Sequence, residues 1–122
     1  MPRILIIDDE PAIRRSVRKI LELSGHTVDE AAEGIVGIAM HAAHPYDVVI
    51  TDLRMPDCDG LEVITAVRRV DQAVKIILIS DGDDYDSCQD AELFGAVTLL
   101  PKPFTMKTLQ SVVDSIGGKP AA

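Results

Sequence analysis

Cysteine is scarce in this sequence, and its placement excludes several kinds of site. Only Cys58 and Cys88 occur in 122 residues. They lie too far apart for a zinc knuckle and form no Cys-x-x-Cys pair. A chain with so little cysteine is typical of the reducing cytoplasm, where we expect this protein to be localised. Both cysteines are expected to be incidental or core-facing rather than redox-active.

Long apolar runs and excess positive charge are also missing. The first apolar stretch is short and ends in Asp8, Asp9 and Glu10, which is wrong for a signal peptide or a membrane span, so we expect no membrane association. The formal net charge is −8, from 20 acidic and 12 basic residues. Such a surface repels a phosphate backbone, so direct nucleic-acid binding by this segment is not expected.

The residues that are present suit one folded domain. In a chain of 122 residues, a 47% apolar content can bury a core without disulfide bonds. Repeats and low-complexity tracts are absent. We expect residues 1–117 to form the domain and residues 118–122 to be a frayed tail or the start of a linker.

Short β-branched runs alternate with longer helical patterns, the rhythm of βα units. Strands are predicted over residues 3–8, 26–31, 47–52, 74–80 and 96–100. The first, third and fourth runs are almost entirely Ile, Leu and Val, as in strands that helices cover on both faces. The sequence therefore predicts an α/β fold with a five-stranded parallel sheet and these three strands at its centre.

The first helix is predicted to begin at Pro11 and to end before Gly25. Its apolar residues recur at helical spacing and form one stripe, made of Ile13, Val17, Ile20 and Leu21. Its basic residues are expected to face solvent, namely Arg14, Arg15, Arg18 and Lys19.

The last helix has the same kind of stripe and is predicted to stop at Gly117-Gly118. The stripe consists of Leu109, Val112, Val113 and Ile116. A weaker stripe predicts another helix over residues 84–94. The acidic residues around its start could form a second cation site, but solvated charge and helix capping are favoured; they are Asp81, Asp83, Asp84 and Asp86.

Polar side chains follow four of the predicted strands. They are Asp8 and Asp9 after the first strand, Asp52 after the third, Ser80 after the fourth and Lys102 after the fifth. The carboxyl ends of parallel strands meet at one edge of a sheet, and ligands bind there. We therefore expect a functional site that combines three carboxylates, a hydroxyl and an ammonium group.

Three neighbouring carboxylates repel one another unless a cation lies among them. Mg²⁺ prefers oxygen ligands and suits this set, with Mn²⁺ as a substitute. Nucleotide, flavin and dinucleotide sites instead use glycines and helix-end N–H groups after the first strand. Asp8-Asp9-Glu10 stands there in this sequence and would repel a phosphate.

Together these residues resemble the receiver domain of two-component response regulators, such as the chemotaxis response regulator. The matching motifs, in order along nearly the whole chain, are Ile6-Ile7-Asp8-Asp9-Glu10, Asp52-Leu53-Arg54-Met55-Pro56-Asp57-Cys58-Asp59-Gly60, Ser80, Phe94-Gly95-Ala96 and Lys102-Pro103-Phe104. The resemblance implies a three-layer, flavodoxin-like (βα)5 fold with strand order 2-1-3-4-5.

The resemblance also implies a phosphorylation site. Asp52 would accept a phosphoryl group from a sensor histidine kinase or a phosphotransfer protein. Lys102 would pair with a phosphoryl oxygen and Ser80 would hydrogen-bond another, which would switch an output surface. Pro103 would follow a cis peptide bond that aims the lysine.

The implied magnesium ligands come from the same residues. Asp9 would bind the ion directly and Asp8 mainly through water, with Asp52 as a further ligand. The main-chain carbonyl of Arg54 would complete the protein's share.

Two residues depart from the family pattern. Leu99 stands where the family usually has Tyr or Phe, which predicts weaker or rerouted coupling to the output surface. Asp81 stands where the family keeps a small residue, which predicts slow phosphorylation by small donors.

The resemblance implies a phosphoacceptor signalling domain that catalyses only its own phosphorylation and dephosphorylation. It also allows a homodimer through the predicted helix over residues 84–94, the fifth strand and the last helix. The loop version Arg54-Met55-Pro56 is common in regulators with DNA-binding domains, so the chain could be a fragment of one.

Two other functions stay open at this point. One is a pseudo-receiver, which would bind proteins without being phosphorylated. The other is a phosphatase of the haloacid dehalogenase kind, although the Asp-x-Asp that such an enzyme needs after its first strand is missing.

Overall fold

The computed structural model describes residues 2–81 and 98–115. Five strands form one parallel sheet in the order β2-β1-β3-β4-β5. The strands are β1 (Arg3–Ile7), β2 (Thr27–Ala31), β3 (Val48–Asp52), β4 (Lys75–Asp81) and β5 (Thr98–Lys102). The described helices are α1 (Pro11–Leu23), α2 (Gly34–Ala43), α3 (Gly60–Val70) and α4 (Met106–Val113). The predicted α/β, flavodoxin-like topology with β1, β3 and β4 at its centre is confirmed.

Alternate residues of each strand face opposite sides of the sheet, so the sheet has two cores. On one side Leu5, Val49 and Leu78 pack against α2 and α3. On the other side Ile6 and Ile50 pack against α1 and α4. These central strands are almost fully buried on both faces, which is why their sequence is continuously apolar rather than alternating.

The strand bounds differ from the prediction by one or two residues. The largest difference is in β5, which was predicted to end at Leu100 and continues to Lys102. It includes Pro101 because β5 lies at the edge of the sheet, where a missing N–H is tolerated. Lys102 is therefore the last residue of a strand and not part of the loop after it.

Helix α1 begins at Pro11 and ends before Gly25, as predicted. Gly25 has φ 93°, and its N–H bonds to the Glu22 carbonyl while that of His26 bonds to the Leu21 carbonyl. This pair of bonds is a Schellman motif, which needs a residue in the left-handed region at the position of Gly25.

The predicted placement of the basic residues of α1 was partly wrong. Arg15 and Lys19 are exposed, but Arg14 and Arg18 are half-buried because both guanidinium groups pair with Glu30 of β2. A helical pattern indicates which residues avoid the core. It does not indicate whether a carboxylate on a neighbouring strand lies close enough to pair with them.

Some predictions fall outside the described residues. These are the helix over residues 84–94 with Cys88, the acidic residues Asp83, Asp84 and Asp86, and the end of the last helix at Gly117. The tail over 118–122 and the homodimer surface that uses residues 84–94 fall outside as well. Cys58 is described and buried, as predicted. In the described ranges, every helix is too short or too polar to span a lipid bilayer.

Candidate functional site

Three carboxylates converge at the carboxyl edge of the sheet. Asp8 and Asp9 follow β1, and Asp52 is the last residue of β3, the strand that pairs with β1. One carboxylate oxygen from each of the three lies within 4.8 Å of the others. The convergence that the sequence predicted is therefore confirmed for these three residues.

Asp8 is completely buried, and most of its polar atoms form hydrogen bonds within the protein. Its N–H bonds to the Ala31 carbonyl at 3.1 Å, and its Oδ1 accepts the Glu10 N–H at 2.9 Å. Its Oδ2 is buried without a hydrogen-bond partner among the described residues. Burial raises the pKa of Asp8 to about 6, although the Glu10 N–H opposes that rise.

Asp52 and Lys102 form the second half of the site. The Lys102 ammonium lies 3.5 Å from Oδ2 of Asp52, whose side chain is also buried. Burial raises the pKa of Asp52, and the charge of Lys102 offsets part of that rise. For Lys102, burial favours the neutral form, but Asp52 and Asp8 outweigh it and raise the pKa.

This donor set fits a hard divalent cation. Two buried carboxylates and an exposed one surround the same point, and one ammonium group balances only part of their charge. The unpaired Oδ2 of Asp8 is an acceptor that nothing in the described chain satisfies. A cation with a preference for oxygen ligands, such as Mg²⁺, would satisfy this acceptor through one of its bound waters or directly, and would reduce the repulsion.

The loop after β3 is held close to Asp52 by Gly60, the first residue of α3. A Cβ at this position would lie 2.6 Å from the Asp52 carbonyl oxygen and 2.9 Å from Cα of Leu53. Both of these atoms belong to the backbone, so a side chain could be admitted only if the strand or the helix moved. Gly60 also donates its N–H to the Leu53 carbonyl at 2.8 Å.

The same loop also holds the start of α2. Asp57 accepts the N–H groups of Gly34 and Ile35 at 3.4 and 3.2 Å, whereas the N-cap residue Glu33 makes no side-chain capping bond. No local sequence signal indicates this cap, because Asp57 lies more than twenty residues from the N–H groups that it accepts.

The other predicted site residues have different outcomes. Ser80 is buried near the end of β4. Arg54 lies exposed in the loop after Asp52. The Lys102–Pro103 peptide bond is cis, as predicted.

The two departures from the family pattern lie on neighbouring strands. Leu99 lies in β5, half-buried, and packs on the α2 and α3 side of the sheet. The backbone of Asp81 ends β4 opposite Lys102, and its side chain lies outside the described part of the chain. The predicted effects of Leu99 and Asp81 stay predictions.

Comparison with known proteins gives a consistent result. The response regulator receiver domain family matches residues 4–114. The response regulator MprA of Mycobacterium ulcerans is 35% identical over 107 residues, which are 88% of this chain and 46% of that protein. MprA of Mycobacterium avium is 34% identical, with 88% of this chain and 47% of that protein covered. The chain thus spans about half the length of the curated relatives it matches.

Solved structures agree in fold as well as in sequence. The chemotaxis response regulator CheY4 of Vibrio cholerae superimposes with a TM-score of 0.89 at 30% identity, covering 95% of this chain and 98% of that one. A response regulator receiver domain protein from Clostridium thermocellum gives a TM-score of 0.89 at 28% identity, covering 95% and 94% of the two chains. The family match, the strand order and the acidic edge of the sheet agree, and the chain belongs to the response regulator receiver domain family.

Proposed function

We propose that this receiver domain takes a phosphoryl group onto Asp52 from a sensor histidine kinase or a phosphotransfer protein, and that Asp8 and Asp9 hold Mg²⁺ during the transfer. The observation that carries the proposal is the geometry of the edge. Three carboxylate oxygens lie within 4.8 Å of one another, and Lys102 lies 3.5 Å from Asp52.

Asp52 is the nucleophile in this proposal. One of its carboxylate oxygens attacks the phosphorus of a phosphohistidine, the P–N bond breaks, and an acyl phosphate forms on Asp52 while the imidazole leaves with the bonding electron pair and takes up a proton. Attack requires the ionised carboxylate, and the charge of Lys102 favours that form against burial. Hydrolysis of the acyl phosphate by water returns the domain to its resting state.

Lys102 and Ser80 would receive the transferred group. The Lys102 ammonium lies next to the attacking carboxylate, where it can neutralise a phosphoryl oxygen as charge spreads over the transferring group. Ser80, buried near the end of the neighbouring strand, would donate its hydroxyl to a second oxygen. A bound Mg²⁺ would supply further positive charge to those oxygens.

The proposed metal ligands are those that the family resemblance implies. Asp9 is the exposed member of the acidic cluster and would bind the ion directly, whereas Asp8 is buried and would act mainly through water. Asp52 and the main-chain carbonyl of Arg54 would supply the other protein oxygens. Mn²⁺ could replace Mg²⁺ because it accepts the same ligands.

The partner would reach Asp52 from the side of α1 and Lys102. An apolar groove of about 400 Å³ lies there, lined by residues such as Ile13, Ile20 and Phe104. These side chains are only half-buried, so an apolar part of a partner could pack on them beside the reactive group. A histidine-containing donor of the kinase or phosphotransfer class is the occupant that matches the chemistry of Asp52.

The alternative functions are not favoured by the family match. A pseudo-receiver would have no use for an acidic cluster and a lysine that converge on one carboxylate. A haloacid dehalogenase phosphatase differs in family and would hydrolyse generic phosphomonoesters.

Intact-mass analysis with acetyl phosphate and MgCl₂ tests the proposal. The chain should gain one phosphoryl group, and chelation of Mg²⁺ or the substitution Asp52→Asn should prevent the gain. Asp47→Asn is the matched control, because Asp47 lies next to the other end of β3. This substitution should leave labelling intact. Labelling of Asp52→Asn at the original rate would refute the proposal.

The predicted effects of Asp81 and Leu99 belong to the same site. Asp81 would add repulsion near an incoming phosphoryl group, so Asp81→Ala is expected to speed labelling by small donors. Leu99, without an aromatic ring, would couple phosphorylation weakly to the output surface.

We further propose a cytoplasmic location, and a receiver unit over residues 1–117 that is followed by a tail or linker.

A further inference from the structure

Arg14 connects the acidic cluster to strand β2. Its Nη1 donates to the main-chain carbonyl of Asp8 at 2.8 Å, and its Nε donates to Glu30 Oε1 at 2.9 Å. The side chain is only 14% exposed. One guanidinium group therefore binds the backbone of the site and a fixed carboxylate at the same time.

The carbonyl that Arg14 binds belongs to the peptide group between Asp8 and Asp9. The preceding N–H, that of Asp8, already bonds to the Ala31 carbonyl, so the backbone is anchored on the sheet side of Asp8. The bond from Arg14 fixes the next peptide plane, and that plane determines the direction in which Asp9 leaves the strand. Asp9 itself is exposed, so core packing does not hold it in place.

Glu30 provides a rigid support for this contact. It lies on β2 next to Ile6 of β1, and its second oxygen accepts Arg18 Nη1 at 2.8 Å. Two arginines therefore share one carboxylate. The hydrogen bond from Arg18 and, to a smaller extent, the one from Arg14 lower the pKa of Glu30, although burial opposes this change. Of these two arginines, only Arg14 also contacts the backbone of the acidic cluster.

We infer that Arg14 is a positioning residue, which orients the Asp8–Asp9 peptide so that the Asp9 carboxylate is preset to bind Mg²⁺. The inference rests on the proposed function. Arg14 acts through the backbone and touches neither the cation nor the phosphoryl group. Groups that orient metal ligands in this way typically affect metal affinity about tenfold or more when they are removed.

The test compares Arg14→Met with Arg18→Met in the full 122-residue chain. Each substitution removes one positive charge and one contact to Glu30, but only Arg14→Met releases the Asp8 carbonyl. Calorimetric titration with MgCl₂ should show about tenfold weaker binding for Arg14→Met, and binding within about twofold of the parent for Arg18→Met. Labelling with acetyl phosphate should need more Mg²⁺ in Arg14→Met and reach nearly the parent rate at saturation.

A readout without metal separates positioning from general stability. In the Mg²⁺-free protein the carbonyl carbon of Asp8 and the amide nitrogen of Asp9 should change their chemical shifts in Arg14→Met and not in Arg18→Met. Loss of the Glu30 contact should lower the melting temperature in both. If Arg14→Met does not fold, Arg14→Gln and Arg18→Gln replace the pair, with the same difference in Mg²⁺ affinity expected.

Equal Mg²⁺ affinity in the two variants, or an unchanged Asp9 amide in Arg14→Met, would overturn the inference. Its failure is distinguishable from that of the proposed function. If the parent chain binds Mg²⁺ and is labelled on Asp52 while the arginine variants behave alike, only the positioning role is wrong. If the parent chain is not labelled, the proposed function is wrong, and the metal-free shifts still report whether Arg14 sets the Asp9 peptide.

Discussion

At the scale of single residues, Asp8 and Asp9 are adjacent carboxylates in opposite environments. Asp8 is buried with one oxygen unpartnered among the described residues, and Asp9 is exposed. The raised pKa of Asp8, about 6, reflects that burial. A carboxyl group whose pKa is raised by folding stabilises the folded state fully at pH values below its pKa in the unfolded chain. That stabilisation is lost as the pH rises through about 6. At neutral pH the ionised Asp8 therefore opposes folding.

We therefore expect Asp8→Asn to stabilise the metal-free protein at pH 7.5, by about 3 kcal/mol from a shift of this size. The same variant should lose the rise in unfolding free energy that MgCl₂ gives the parent chain. Urea unfolding with and without MgCl₂ measures both effects. Asp9→Asn is the matched control, since it removes the same charge from an exposed position and should leave metal-free stability nearly unchanged. A metal-free Asp8→Asn that is less stable than the parent would contradict this account.

His26 is a buried residue with a pH-dependent contribution to stability. Its Nδ1 has no partner in the described part of the chain, and burial lowers its pKa, although the charge of Asp114 opposes that effect. Because the folded-state pKa lies below the unfolded one, this stability is complete above about pH 6.5 and is lost as the pH falls. Substituting His26→Leu should flatten the decrease in urea midpoint between pH 7.5 and 5.5. An unaltered pH profile in His26→Leu would rule the effect out.

At the scale of elements, the loop after β3 and helix α2 stabilise each other. Asp57 accepts the first two N–H groups of α2. The buried Cys58 packs closely on Gly34, because a Cβ added to Gly34 would lie 2.9 Å from the Cβ of Cys58. The loop that follows Asp52 is therefore anchored on α2, which packs on the same face of the sheet as α3. Helix α3 is instead capped locally, by Asp59, which accepts the Glu62 N–H.

Removal of the distant cap should be measurable. We expect Asp57→Ala to lower the free energy of unfolding by about 1 kcal/mol, and to speed hydrogen exchange at Gly34 and Ile35. Glu33→Ala makes a suitable control, since Glu33 occupies the N-cap position without a side-chain bond and should change little. Equal effects of the two substitutions would show that Asp57 does not cap α2.

At the scale of the whole molecule, the two ends of the sheet have different tasks. The carboxyl edge holds the acidic cluster. Near the other end, His41 accepts the Tyr46 N–H at Nδ1 and bonds through Nε2 to Asp71 at 2.9 Å. Tyr46 donates its hydroxyl to Asp29 at 2.7 Å, and the Arg3 guanidinium lies 4.6 Å from its ring centre. This second network joins α2, β1, β2, the loop before β3 and the end of α3.

Stability and metal binding should therefore be separable. Tyr46→Phe removes the bond to Asp29 and keeps the ring, so it should lower the free energy of unfolding by about 1.5 kcal/mol. Mg²⁺ affinity and labelling of Asp52 should stay at the parent values when measured well below the melting temperature. A matched loss of Mg²⁺ affinity in Tyr46→Phe would show that the two ends are coupled.

The class of fold and the chemical character of the site could be predicted from the amino-acid sequence alone. Continuous apolar strands require helices on both faces, and in a parallel sheet every strand ends at the same edge. Asp8, Asp9, Asp52 and Lys102 therefore had to approach one another once the strands were recognised. The strand order came from the family resemblance rather than from these patterns.

The contacts that support that site could not be predicted in the same way, because they depend on how the elements pack together. Arg14 was expected in solvent, and its binding to Glu30 and to the Asp8 carbonyl depends on how α1 packs beside β2. The cap from Asp57 and the network around His41 join residues that are far apart in sequence. Periodicity describes one element at a time, whereas these bonds depend on the distance and rotation between two elements, which packing sets.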